Sequence, residues 1–178
     1  MKFRRLENYI NVIENHLQEI DPSANVAEVE NYLACYLVVA IYSEYENLIN
    51  VLIARRCNKI GDMPVINFIT SIARCGSTES RFERKRKAGR IEIKDLRDRL
   101  GQFGSIYVES FKIKLENDEI ATRAWSSLIQ QRHNISHQSV IGLTLQEVIE
   151  LYNNSKNILL YFAEAMELVE GDIVDLRR

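Results

Sequence analysis

Apolar side chains recur at three- and four-residue steps through Leu6, Tyr9, Ile10, Ile13, Leu17 and Ile20. That is the spacing of one helix face, so residues 2–20 predict a first amphipathic helix. Asp21-Pro22-Ser23 stops it, because Pro22 has no amide proton to donate and restrains Asp21. Asn25 and Glu28 stand as an N-terminal capping pair. A second helix is predicted from there to about Asn58, with no Gly or Pro inside it. Its stretch from Leu33 to Tyr42 is apolar nearly all round, which places it at the centre of a bundle. That stretch is about half the length that a bilayer span requires, and it runs directly into Ser43-Glu44.

Gly61-Asp62-Met63-Pro64 is the next break, and residues 65–74 read as a short helix closed by Cys75-Gly76-Ser77-Thr78. Ile93, Leu96 and Leu100 restore a helical pattern over residues 91–103. Residues 105–115 alternate enough for a strand, but a helix is the preferred reading. Asn117 is the expected cap of the following helix, with Asp118 and Glu119 in its first turn complementing the helix dipole. Ile120, Ala124, Leu128 and Ile129 are its expected core face, and it leads into the polar patch Gln131 to His137. Residues 138–142 then form a loop. Thr144 and Glu147 make a capping box. They open a long last helix to about Glu170, with Val148, Leu151, Tyr152, Ile158, Leu159, Phe162 and Met166 facing inward and Gly171 closing it. Tyr32, Tyr36, Tyr42, Tyr45 and Trp125 fall at helical spacings and are expected in the core. No repeat, low-complexity tract or linker divides the chain. Residues 1–178 therefore predict one all-α domain, a single helical bundle of about five to seven helices with long second and last helices.

Composition agrees with that pattern. The 178 residues include 7 Gly and 2 Pro, too few turn formers for a sandwich or barrel. With 46% hydrophobic and 27% charged residues, wholesale disorder is excluded. The formal net charge of −2 leaves no global nucleic-acid footprint, so any basic site must be local. The segment 81–90 is such a place: Arg84, Lys85, Arg86 and Lys87 stand together in it. They form either an RNA-backbone clamp or a solvated interhelix loop. Cys35, Cys57 and Cys75 are odd in number and widely spaced, without a CxxC. That pattern gives neither a disulfide framework nor a zinc knuckle. Residues 1–8 carry charge throughout and no signal-type apolar run. Reduced thiols in the cytoplasm, with no membrane association, are the expectation.

The nucleotide-binding glycine fingerprints, the GxSxG elbow and the HExxH zinc motif are all absent. Chemistry concentrates instead at Arg132-His133-Asn134-Ile135-Ser136-His137, because Arg, His and Asn can all bind or protonate a phosphate. His133 and His137, four apart, share a helix face. That spacing would suit a metal pair, but no third ligand is placed by sequence, and no metal or cofactor is expected. At about 100° per residue, Arg132 and His137 point about 140° apart on a straight helix. A joint site therefore needs the helix to end or bend inside the patch, or a second copy to complete it. His137 near a helix end would suit a general acid near neutral pH.

Arg132, polar His133, three more residues and then His137 resemble the R-x4-6-H motif of the HEPN superfamily. Two further stretches resemble the RiboL-PSP type of that superfamily: Tyr45-Glu46-Asn47-Leu48-Ile49 in the second helix, and Leu100-Gly101-Gln102-Phe103-Gly104. Ser136 departs from the small Ala expected before the histidine. The resemblance implies a metal-independent endoribonuclease in which the ribose 2′-OH attacks the adjacent phosphate. It implies His137 as general acid/base and Arg132 as the phosphate-holding cation. His133 or Asn134 would orient the RNA, and Glu46 would tether Arg132 or His133 from the second helix. It further implies a homodimer in which two motifs meet, and a prokaryotic toxin or anti-phage effector with an antitoxin or regulatory protein partner. The competing expectation is a HEPN-like module without catalysis that binds RNA or protein.

Overall fold

The computed structural model describes residues 4–19, 26–61, 91–138 and 142–168. Seven helices are seen among them: α1 (Arg4–Glu19), α2 (Val26–Ile60), α3 (Ile93–Gly101), α4 (Ser105–Asn117), α5 (Glu119–Gln138), α6 (Leu145–Ser155) and α7 (Asn157–Ala165). No strand occurs among the described residues, so the fold is the expected all-α bundle. The expected cap Asn25, the short helix at 65–74, Cys75, the basic residues Arg84, Lys85, Arg86 and Lys87, and Gly171 lie outside the described residues.

Helix α2 is the axis of the bundle and packs against α1, α5, α6 and α7. By length and composition Val26–Lys59 could cross a membrane, with a mean hydropathy of 1.3 over an 18-residue stretch. Its apolar row of Leu37, Val38, Ile41, Tyr45, Leu48, Ile49 and Leu52 is instead buried by the neighbouring helices. Each such side chain contributes roughly 1.5–3 kcal/mol of burial, which accounts for a helix so apolar in a bundle centre. Tyr32, Tyr36 and Val39 face outward, which corrects the expectation that all five aromatics lie inside. They are nearly in line on the side of α2 opposite the packed row, where Tyr36 meets the Tyr9 ring of α1 edge to face, centroids 6.4 Å apart.

Tyr45 and Trp125 do meet in the core, with ring centroids 4.9 Å apart and planes 4° from parallel. Their polar atoms are satisfied. Trp125 Nε1 donates to the Ile91 carbonyl at 2.8 Å, which fixes the chain where it enters α3. The Tyr45 hydroxyl lies 2.9 Å from Ser155 Oγ and donates to the Tyr152 carbonyl at 3.3 Å. Burial pushes the Tyr45 phenol well above its ordinary range. These groups sit where α6 passes into α7. Lys156 between them keeps right-handed helical angles (φ −58°, ψ −22°). The two segments thus continue one another through this one residue, and the expected long last helix is present as two consecutive segments.

That helix stops earlier than expected. Leu168 N–H bonds the Ala163 carbonyl at 3.1 Å and Glu167 N–H the Glu164 carbonyl at 2.9 Å, a Schellman stop with Glu167 in the left-handed region (φ 57°). A buried Leu168 beyond the turn supplies the apolar contact such stops use. Glu167 also pairs with Arg56 of α2 at 3.2 Å.

Two junctions bracket α4. Gly104, at φ 138°, precedes it in a conformation that side-chain-bearing residues rarely adopt. At its other end the cap of α5 is Asp118, one residue beyond the expected Asn117. Asp118 Oδ1 accepts the Ala121 N–H at 3.0 Å, and Oδ2 accepts the Tyr161 hydroxyl at 2.7 Å. The Thr144–Glu147 capping box forms as expected.

Candidate functional site

The inward row of α5 is Ala121, Ala124, Trp125 and Leu128, all buried. Ile120, expected among them, is 68% exposed, because it lies about 90° round the helix from the middle of that buried row. The opposite row is Ser126, Gln130, His133 and His137, all exposed. At about 100° per residue these four lie within about 60° of one another around the axis. The His133 and His137 rings meet edge to face, centroids 4.7 Å apart. The Ser136 hydroxyl donates to the His133 carbonyl at 2.6 Å. Asn134 is half-buried, and its Oδ1 accepts from Gln130 Nε2 at 3.0 Å.

Arg132 points elsewhere. The helix neither ends nor bends inside the patch but runs unbroken to Gln138, so Arg132 stays about 140° from His137. Its guanidinium lies over the ring of Tyr42 on α2, with Cζ 5.0 Å from the centroid. One chain thus brings His133 to His137 and Arg132 to Tyr42, and keeps the two pairs on different sides of α5.

Tyr42 was not expected here. It is half-buried, and burial pushes its phenol above the ordinary value. The Arg132 guanidinium opposes that rise, the Glu46 and Asp95 carboxylates add to it, and Arg99 opposes it more weakly. The ring therefore marks a point where charges from α2, α3 and α5 converge. Glu46 lies one turn from Tyr42 on α2, half-buried, and acts on this cluster through its field. Asp95 and Arg99 stand one turn apart on α3, Arg99 fully buried. Their i,i+4 spacings, Tyr42 to Glu46 and Asp95 to Arg99, are the sequence signal that could have singled them out.

Among the described residues, two clefts lie on different sides of the bundle. The larger, about 590 Å³, lies among α1, α2 and α6 and is lined by Asn11, Glu14, Gln18, Glu30 and Gln146; α5 takes no part in it. The smaller, about 380 Å³, lies between the start of α3 and the middle of α5. Among the described residues, no three His, Cys, Asp or Glu side chains gather where a metal ion could sit.

An exposed arginine and a histidine pair late in an all-α bundle, behind a long central helix, are the arrangement the sequence resemblance implied. No curated protein and no solved structure matches the chain. The RiboL-PSP-HEPN family model matches residues 4–168, from the first turn of α1 to the residue that closes α7. With nearly its whole length so matched, the chain belongs to the RiboL-PSP-HEPN family.

Proposed function

We propose that the chain is a metal-independent endoribonuclease of the cytoplasm, working as a homodimer. The observation that carries this reading is the presentation of Arg132, His133 and His137 at the exposed end of α5 in a HEPN-family bundle. His137 removes the proton from a ribose 2′-OH, whose oxygen attacks the adjacent phosphorus. The bond from phosphorus to the 5′-oxygen breaks, and that oxygen takes up a proton. The products are a 2′,3′-cyclic phosphate and a 5′-hydroxyl, with no net change in protons. Arg132 stabilises the charge that develops on the non-bridging phosphate oxygens, and His133 and Asn134 hold the RNA strand. Since one chain keeps Arg132 and His137 on different sides of α5, the working site takes Arg132 from one subunit and the histidines from the other. RNA cleavage of this kind suits a prokaryotic toxin or anti-phage effector, held in check by an antitoxin or regulatory protein.

A second reading draws on the same separation: a HEPN bundle that binds RNA or protein and cuts nothing. Purified protein incubated with total RNA in excess EDTA, beside His137→Ala, separates the two. Cleavage by wild type alone, leaving cyclic phosphate ends, is the expected outcome. Salt-sensitive RNA binding with no cleavage by either protein would support the second reading.

A further inference from the structure

The smaller cleft lies along the row of α5 that ends in the two histidines. Ser126 and Gln130 line it, and His133 and His137 follow on the same side of the helix at steps of three and four. At about 1.5 Å per residue, His133 stands about 4–5 Å beyond Gln130 along the axis, and His137 about 10–11 Å beyond it. Successive phosphates of a nucleic-acid strand are spaced on the same scale. The cleft volume of about 380 Å³ falls at the small end of ligand pockets, which start at about 300 Å³. Its walls are of two kinds. Ile93 and Ile129, both half-buried, are apolar surfaces for the faces of a planar ring. Glu92, Ser126 and Gln130 bring acceptors and donors for the edge of a base, and Lys94 brings a cation for a phosphate. The hydrogen bond from Gln130 to Asn134 ties the cleft directly to the patch.

Resting on the ribonuclease reading, we infer that this cleft is a nucleotide subsite: it takes one unstacked base of single-stranded RNA next to the scissile phosphate and gives cleavage its base preference. The base inserts between Ile93 and Ile129, its edge is read by Glu92, Ser126 and Gln130, and Lys94 neutralises a flanking phosphate. A site that hydrogen-bonds a base edge discriminates against bases with the wrong donor pattern, because its own polar groups are then left unpaired.

Two measurements test this independently of each other. The first titrates the isotope-labelled wild-type protein with each of the four nucleoside 3′-monophosphates and follows backbone amide shifts. Shifts gathered at Ile93, Lys94, Ser126 and Gln130, with one base at least about fivefold tighter than another, are expected. They should vanish in Ser126→Trp, which fills the cleft at an exposed position that the core does not use. Shifts elsewhere, or none, overturn the subsite even if the protein cuts RNA. The second sequences the ends left on a randomised RNA. Ser126→Trp and Gln130→Ala should still cut but with a flattened base preference, and an unchanged preference overturns the subsite. A protein that cuts no RNA defeats the nuclease reading alone, and the titration then decides the cleft.

Discussion

Arg132 lies with its guanidinium over the Tyr42 ring, Cζ 5.0 Å from the centroid. A long exposed side chain is thereby given one preferred direction, toward α2 and away from the histidine row. Such a contact is worth about 0.5–1 kcal/mol at an exposed site. If it holds Arg132 ready for phosphate, Tyr42→Leu should slow cleavage about two- to fivefold with little change in KM. Tyr42→Phe, which keeps the ring, should leave the rate nearly intact. Steady-state kinetics on a short RNA would check both. Equal losses in the two variants would assign the role to the hydroxyl instead.

The division of Arg132 and His137 between two sides of α5 predicts complementation between inactive proteins. Arg132→Ala and His137→Ala should each be inactive alone. When the two are mixed and allowed to exchange subunits, half of the dimers carry one intact composite site out of two. About a quarter of wild-type activity should then return. A mixture that stays inactive would place both residues of each site on one chain.

The Asp118 carboxyl is held below the ordinary carboxylate range, first by the Ala121 amide and next by the Tyr161 hydroxyl. The Tyr161 phenol is pushed up to about 12, by burial and by Asp118. A carboxyl whose folded-state value is depressed stabilises the fold fully above its unfolded value of about 4. That contribution is lost as the pH falls through the folded value. Asp118→Ala should therefore cost about 1–2 kcal/mol at pH 7, from the lost cap and the lost Tyr161 bond. Urea unfolding at pH 7 and again near pH 3 should show the charge-dependent part of the difference shrinking at the lower pH.

Glu167 occupies a left-handed position that glycine usually fills. The strain of a side chain there is about 1–2 kcal/mol, while its ion pair with Arg56, with Glu167 66% exposed, is worth about 0–1 kcal/mol. Glu167→Gly should on balance stabilise the protein by a few tenths to about 1 kcal/mol. A thermal melt that moves down instead would show the Arg56 pair to be the stronger effect.

The helices were legible because their apolar spacings are long and regular, and the bundle followed from the scarcity of Gly and Pro. Details set by a single side chain were harder to read. Asn117 and Asp118 are both good caps, and it is the Tyr161 hydroxyl and the Asn157 amide on the far helix that favour the second. Ile120 fits the apolar spacing with Ala124 and Leu128, but the row that is buried centres on Ala124, Trp125 and Leu128 and leaves Ile120 outside. Tyr32, Tyr36, Tyr42 and Tyr45 look alike in a string of apolar residues, yet they face solvent, solvent, the site and the core in turn. Their fates depend on which helices cover α2, which no local pattern states. The patch itself was visible as a motif, and so was the angular conflict within it. The resolution of that conflict was not visible, since it depends on whether α5 continues to Gln138.

Trp125 is the chain's single tryptophan. It stands fully buried against Tyr45, on the same helix as Arg132 and His137, about two turns before the first and about three before the second. The protein therefore carries its own optical probe at the root of the candidate site. Emission excited at the red edge arises from one indole in one apolar setting, so its wavelength and lifetime report the packing of α5 against α2 without any label. Substitutions at the exposed tip of α5 that spare this packing will leave the spectrum unchanged, and chemical defects can be told from folding defects in the same cuvette.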